Sequence, residues 1–188
     1  LARAALEYGY EQYGIDILMR YYDLISRNGE TFLWYFPDGR PSTVETSTSP
    51  EAKPTDGWGS SAMLYALVEG LAGVQDRDKL FRRLRLCPKW ITAGVEKAEV
   101  KIDYKSSGAF VRYAYEHTAD KLVIKLTGSY EYVQLSLPVP ANYVPGDLTF
   151  GGKKKKYIMA SINQSNYLIA DADVTGECEI ILGLKKKH

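Results

Sequence analysis

The spacing of hydrophobic residues changes along the chain, from a helical period in the first half to a period of two in the second. Apolar side chains recur at intervals of three and four over residues 6–24, with charged residues on the opposite side. This pattern predicts an amphipathic helix. It should end at Asn28 and Gly29, because glycine readily adopts the left-handed cap conformation. A second apolar segment, residues 60–74, predicts a helix buried on more than one face.

After about residue 90 apolar and polar positions alternate, and the pattern predicts short strands. These strands are expected at residues 98–104, 110–115, 122–126, 132–137, 157–160, 167–170 and 179–182. Turn residues separate them, including Pro145-Gly146-Asp147 and the Gly151-Gly152 pair. Short strands at this spacing are typical of an antiparallel β-sandwich. The sequence therefore predicts a helical segment at residues 1–90 and a sandwich domain at residues 91–188.

The helical half cannot form a closed core from two helices alone, since an apolar helix face must pack against another element. We therefore expect residues 1–90 to be the end of a larger helical domain. The missing helices would come from an earlier part of the chain or from a second polypeptide. The sequence begins at Leu1 and enters directly into a helical pattern, which favours a fragment or a processed product.

The net charge and the length of the apolar runs limit the classes of molecule that this chain is predicted to bind. The 188 residues carry a net charge of +1, so no overall field attracts nucleic acid or anionic lipid, and neither partner is predicted. The lysine runs at residues 153–156 and 185–187 are interpreted as a solvated hairpin turn and a frayed tail. No apolar run reaches the roughly 18 residues of a membrane-spanning helix, which predicts a soluble protein whose compartment stays open.

The residues that usually hold metals or cofactors are sparse. Cys87 and Cys178 lie among apolar residues without a metal or redox motif, so buried free thiols are favoured over a disulfide. His117 and His188 have no neighbours at ligand spacing, and neither a catalytic metal nor another cofactor is predicted. The Ser60-Ser61 pair lacks the glycine pattern of a nucleophile elbow.

The candidate chemistry lies on a long loop at residues 40–56. This loop contains three prolines, many serines and threonines, and the carboxylates of Glu45, Glu51 and Asp56. It leads into Trp58, which has a glycine on each side. Loops this long are uncommon in compact domains and are often functional, and loops held by rigid elements tend to carry catalytic residues.

The order of these segments resembles the end of an (α/α)6-barrel glycosidase of the six-hairpin group, which includes trehalases, glucoamylases and α-L-rhamnosidases. In trehalases a catalytic-base glutamate precedes a Gly-Phe-Gly-Trp-Thr-Asn-Gly segment that opens a helix. Here Asp56-Gly57-Trp58-Gly59-Ser60-Ser61 occupies that place. Rhamnosidases end a comparable helix in a segment similar to Leu71-Ala72-Gly73-Val74. The resemblance implies an α+β fold, with the C-terminal helices of an (α/α) barrel followed by an antiparallel β-sandwich.

The resemblance also implies an activity, namely hydrolysis of a glycosidic bond with inversion, with phosphorolysis as an open alternative. Inversion requires two carboxylates about 6.5–9.5 Å apart, one acting as acid and the other as base. The general base would come from the loop. Glu45 is the first choice, and Glu51, Asp56 or a surface role for all three are the alternatives. The general acid would lie in earlier barrel helices.

Aromatic residues near the loop are candidates for contact with a carbohydrate substrate. Trp58, Trp34 and Tyr35 offer planes for the apolar face of a sugar ring, and Asp56 is a further candidate for binding. Two alternatives stay open: Asp56 as a helix cap, and Trp34 as a core residue beneath the loop. Trp90 is expected to pack at the domain junction.

A second hypothesis comes from another class of protein. In it, the chain is a non-catalytic carbohydrate-binding or structural module, and Glu45 is incidental. Such a module would present an aromatic strip on the sheet, for instance Tyr113, Tyr115, Tyr130 and Tyr132.

Overall fold

The computed structural model describes residues 1–46, 53–55 and 57–187. Its α-helices are α1 (Ala2–Glu7), α2 (Glu11–Asn28) and α3 (Gly57–Tyr65), and a π-helical segment, Ala66–Leu71, continues α3. Helix α2 ends as predicted, with Gly29 in the left-handed conformation and its amide bonded to the carbonyl of Ile25. Among the described residues, no helix has the length and apolar character required to cross a membrane.

Strands make up the larger part of the ordered structure. They are β1 (Val74–Asp76), β2 (Arg83–Leu86), β3 (Lys97–Tyr104), β4 (Ala109–His117), β5 (Lys121–Gly128), β6 (Tyr132–Pro138), β7 (Tyr143–Phe150), β8 (Lys153–Lys155), β9 (Ile158–Ile162), β10 (Ser165–Asp173) and β11 (Gly176–Lys186). One sheet has the order β1-β2-β6-β10-β9 and the other β3-β4-β5-β11-β7-β8. All pairs are antiparallel except β2 with β6, which is parallel.

The two sheets share one hydrophobic core, as expected for a sandwich. Alternate residues of each strand point inward, so that Leu135 of β6 and Leu168 of β10 pack in the same cluster as Ile124 of β5 and Ile180 of β11. All four side chains are fully buried. Burial of apolar surface on this scale is the main stabilising contribution to such a fold. Both cysteines are free and buried, which confirms that prediction.

The predicted fold class is wrong, because the structure is mainly β and does not contain a helical barrel. Within the described residues the helices form only a small cluster, built on Leu6, Ile15, Leu18 and Ala66, and no toroid of helical hairpins is present. The antiparallel sandwich is the part of the prediction that the structure retains. The division at residues 90 and 91 stays a prediction; strands β1 and β2 lie before it and already pair within the sandwich.

The first predicted helix is two helices, broken at Gly9. This residue has a φ of +76°, a conformation that glycine adopts without strain. Here the chain touches the sandwich: Asn163 Nδ2 donates to Tyr8 O at 2.7 Å, and Ser165 Oγ donates to Gly9 O at 3.1 Å. The apolar spacing continues across the break because α1 and α2 pack into the same cluster. Periodicity alone therefore could not locate the break.

Trp90 packs at the junction between the helical residues and the sandwich, as predicted. Its Nε1 donates to Tyr113 Oη at 2.8 Å, and that hydroxyl donates to Ala72 O at 2.7 Å. Desolvation by burial raises the pKa of Tyr113, so its hydroxyl stays protonated and keeps donating. This chain of hydrogen bonds joins the end of the π-helical segment to β4.

Replacing Tyr113 by Phe is expected to lower the free energy of unfolding by about 1–3 kcal/mol, because a buried donor and a buried acceptor both lose their partner. Thermal unfolding of the natural protein measures the change. The matched control is Tyr104→Phe, which removes an exposed hydroxyl bonded to Asp76 and should have a much smaller effect. Equal losses for the two variants would contradict the proposed importance of the junction.

Candidate functional site

The aromatic run after α2 forms a small platform, defined here as residues 32–36. It is paired on two sides: Leu33 N donates to Pro54 O at 2.7 Å, and Ser42 N donates to Trp34 O at 3.0 Å. Isolated bridges between Phe32 and Thr55 and between Tyr35 and Pro41 complete the pairing. The platform therefore fixes both ends of the long loop.

A tight turn follows the platform, as the sequence predicts. Gly39 has a φ of +83°, and its amide donates to Phe36 O at 2.9 Å. Asp38 accepts hydrogen bonds from the backbone amide and the guanidinium of Arg40. The Arg40 guanidinium also lies over the Phe36 ring, 5.1 Å from its centroid.

Glu45, the first-choice base, lies in an exposed turn that begins just after Ser42. The turn is closed by Thr46 N donating to Thr43 O at 3.2 Å, and by Thr43 N donating to Thr46 Oγ1 at 2.8 Å. A hydrogen bond from the Thr43 side chain lowers the pKa of the Glu45 carboxyl. The carboxylate therefore stays ionised to lower pH than an ordinary glutamate, which does not suit a general acid, because that role needs a raised pKa.

Trp58 lies in the first turn of α3, and its side chain is 80% exposed. The two flanking glycines have different roles. A side chain at Gly59 would overlap the hydroxyl of Tyr21, so this glycine permits α2 and α3 to approach, whereas no atom lies within 4 Å of a Cβ placed on Gly57. The large exposed ring is the most accessible tryptophan surface among the described residues.

The other two predicted sugar-binding aromatics are half-buried in the platform. Trp34 packs against Phe36 with ring centroids 4.5 Å apart. Tyr35 packs edge-on against Tyr21 and Phe32 at 6.1 and 5.9 Å, and its hydroxyl accepts from Phe32 N. These contacts hold the platform together, and each ring keeps part of its surface exposed.

A hydrogen bond between described residues joins the two arms of the candidate site. Ser42 Oγ donates to Pro54 O at 3.2 Å. Glu45 is three residues beyond Ser42, and Trp58 is four residues beyond Pro54. Glu45 and Trp58 thus follow, on separate arms, the two residues that this hydrogen bond joins. Asp56 and Glu51 lie outside the described residues, and their roles stay predictions.

The aromatic strip of the second hypothesis does not form a surface. Tyr113, Tyr115 and Tyr130 are each no more than 2% exposed, because they point into the sandwich core. Tyr132 is half-buried beneath the guanidinium of Arg83, 4.4 Å from the ring centroid. Strand alternation could have indicated this for Tyr113 and Tyr115, which lie two residues apart on the buried face of β4. Tyr130 lies between β5 and β6.

Sequence reasoning missed an apolar groove of about 510 Å³ between α1, α2 and α3. Its lining includes Tyr8, Ile17, Met63 and Tyr65. The apolar pattern predicts that α3 is buried, but none of the described residues of α3 is buried. Among the described residues no group of three or more His, Cys, Asp or Glu side chains is arranged to hold a metal ion.

Comparisons with known proteins find limited similarity. No family model matches the sequence, and no curated protein matches it. Part of the chain is similar to an α-L-rhamnosidase from Dictyoglumus thermophilum, with 11% identity and a TM-score of 0.47 over 71% of this chain and 15% of that one. An uncharacterized protein from Listeria monocytogenes is similar with 12% identity and a TM-score of 0.41, over 55% of this chain and 11% of that one. The chain thus spans a small part of the length of either protein.

Proposed function

We propose that this chain is the C-terminal portion of a glycoside hydrolase, in which Glu45 is the general base and Trp58 stacks on the sugar. The observation that carries the proposal is the hydrogen bond between Ser42 Oγ and Pro54 O. It joins the arm that carries the exposed Glu45 to the arm that leads to the exposed Trp58, which supports their use in one site. A sugar-cleaving site can use both kinds of group, because the apolar face of the sugar ring packs on an aromatic plane and the attacking water needs a base.

The apolar groove on α1, α2 and α3 supports a further part of this proposal. Two residues of its lining, Tyr65 and Tyr8, are 51% and 62% exposed, and Tyr8 directly follows α1. Exposed apolar surface of this kind commonly marks an interaction site. Additional helices of the same protein, or of a partner chain, would cover this face and would supply the general acid.

The chemistry then divides between two parts of the protein. Glu45 would take a proton from a water molecule as that water attacks the anomeric carbon, while the second carboxyl group protonates the leaving oxygen. The lowered pKa of Glu45 keeps it ionised in this role. The indole of Trp58 would stack on the sugar ring and would leave the hydroxyl groups of the sugar free for other contacts.

The test uses the full-length protein produced from its gene, with Glu45 replaced by Gln and the wild type as reference. Hydrolysis should fall roughly 10²-fold or more, since loss of a general base typically removes that much rate. The substrates are trehalose, maltooligosaccharides and aryl α-L-rhamnosides, which correspond to the three enzyme groups that the sequence resembles. NMR of the first-formed anomer reports whether the reaction inverts configuration.

The matched control is Glu179→Gln, which neutralises an exposed glutamate on β11 and should leave the rate unchanged. Trp58→Ala should raise KM more than it lowers kcat, because it removes binding surface without removing the base. If Glu45→Gln retains full hydrolysis, another residue is the base. If the wild-type protein binds these sugars without cleaving any of them, the second hypothesis of a binding module replaces the first.

A further inference from the structure

The two lysine runs, distant in sequence, lie together on the six-stranded sheet. Strand β8 carries residues 153–155 and pairs with β7, and β7 pairs on its other side with β11, which carries Lys185 and Lys186. All seven lysines of residues 153–156 and 185–187 are exposed. The first run was interpreted as a hairpin turn, but residues 153–155 form the edge strand β8. The second run was interpreted as a frayed tail, but Lys185 and Lys186 belong to the paired end of β11.

Between the two runs lies an open groove of about 940 Å³. Its floor is a β-bulge: Leu182 pairs with Leu148 and Leu184 with Pro145, so Gly146 and Asp147 stand opposite Gly183. Leu182 and Leu184 are buried, and Gly183 between them consequently faces solvent. The two glycines leave the backbone bare, and a ligand can approach it closely.

The rim of the groove carries both cations and acceptors. Its lysines are Lys154, Lys155, Lys156 and Lys185. Two carboxylates, Asp120 and Asp147, lie among them, and Lys154 Nζ is 2.7 Å from Asp147 Oδ2. The ring of Tyr157 forms part of one wall and is held by its hydroxyl, which donates to Pro145 O at 3.2 Å.

We propose that this groove binds an acidic polysaccharide, a chain of sugars that bear carboxylates. The lysines would pair with the sugar carboxylates, and the aspartates would accept hydrogen bonds from the sugar hydroxyls. A polymer of uronic acids offers both kinds of group in every residue. This binding function goes beyond the activity proposed above and does not involve Glu45.

The chemistry of the groove favours this ligand over a nucleic acid. A DNA backbone carries no hydrogen-bond donors for Asp120 and Asp147, and those carboxylates repel its phosphates. Among the described residues that line the groove, Tyr157 is the one aromatic residue. Proteins that bind single-stranded nucleic acids usually stack successive bases on several aromatic side chains.

The experiment measures binding of polygalacturonate to the natural protein by isothermal titration calorimetry. The matched probe is the same polymer with its carboxylates fully methyl-esterified, and a DNA duplex at the same ionic strength is the third ligand. Polygalacturonate should bind at least tenfold more tightly than either of the others. Equal binding of the esterified polymer, or of DNA, would overturn the proposal, because the groove would then not be reading a carboxylated sugar.

Two variants place the binding in the groove. The double substitution K156Q/K185Q removes two rim charges that form no ion pair among the described residues, and it should weaken binding roughly tenfold. The control K101Q/K105Q makes the same change in charge on and beside β3, and binding should stay unchanged. If both double variants lose affinity equally, the attraction is a general charge effect and the groove is not the site.

A third variant changes the shape of the groove without changing its charge. A Cβ on Gly183 would lie 3.7 Å from Asp147, so Gly183→Val fits the strand and fills the floor. Binding should weaken several-fold while the melting temperature stays close to that of the wild type. Unchanged affinity in a folded Gly183→Val protein would show that the ligand does not enter the groove.

Discussion

Replacing Gly73 by Ala is expected to lower the melting temperature of the protein by about 10 °C or more. Gly73 has a φ of +68°, and a Cβ there would overlap the carbonyl of Cys87 and lie 2.5 Å from Pro88 N. Neither neighbour can rotate away, because both are backbone atoms. We expect a loss of about 4 kcal/mol or more from backbone strain and overpacking together, which corresponds to that shift for a chain of this size.

The control separates strain from overlap. Gly108 has a similar φ of +72°, but no atom lies within 4 Å of a Cβ placed there. Gly108→Ala should therefore cost about 1 kcal/mol, the conformational penalty alone. Circular dichroism on heating compares the two variants. If Gly73→Ala and Gly108→Ala have the same melting temperature, the backbone at Gly73 can move away from Cys87 and Pro88 without loss of the fold.

Gly73 also shows what the sequence could and could not predict about the fold. Its position at the end of the second helical pattern marks a helix end, and the π-helical segment indeed stops at Leu71. The sequence does not show that the following residues enter a sheet at once, since β1 and β2 are three and four residues long. Strands this short leave too few alternating positions for a period of two to be recognised.

Strands β7 and β8 were missed for different physical reasons. Pro145-Gly146-Asp147 has the composition of a turn, but these residues lie inside β7, where pairing with β11 overrides the local preference. Strand β8 consists of lysines and so has no apolar face to detect. Lysine is common on edge strands because its charge discourages pairing with other chains. Both segments are strands because each pairs with a neighbouring strand, β7 with β11 and β8 with β7. Local sequence patterns carry no information about that pairing.

The sequence supplied candidate residues for the site, but not the contacts that hold the loop carrying them. The sequence singled out Glu45 and Trp58 because a carboxylate and a tryptophan stand out in a loop of small polar residues. It did not indicate that Ser42 and Pro54 join the two arms, since these residues are twelve positions apart and share no sequence pattern. The apolar pattern also predicted that α3 would be buried, but none of the described residues of α3 is buried.

Removing the carboxylate of Glu11 is the second change expected to have a large effect. Glu11 begins α2 and is 3% exposed. One of its oxygens accepts a hydrogen bond from the hydroxyl of Ser165, and the other accepts from the hydroxyl of Tyr167. Both donors lie on β10, so this carboxylate fastens the helical residues to the sandwich next to the Gly9 contact.

Glu11→Ala should reduce the free energy of unfolding by about 3 kcal/mol or more, because two hydrogen bonds to a charged group are lost and the hydroxyl of Tyr167 is left buried without its acceptor. The control is Asp16→Ala in the same helix, which removes an exposed ion pair with Arg20 and should cost about 0.5 kcal/mol. Denaturant unfolding measures both, and hydrogen exchange reports where the structure loosens. We expect faster exchange in α1 and α2 with the sandwich unchanged. If exchange rises uniformly across the chain, or if the two variants are equally stable, Glu11 does not fasten the helices to the sandwich.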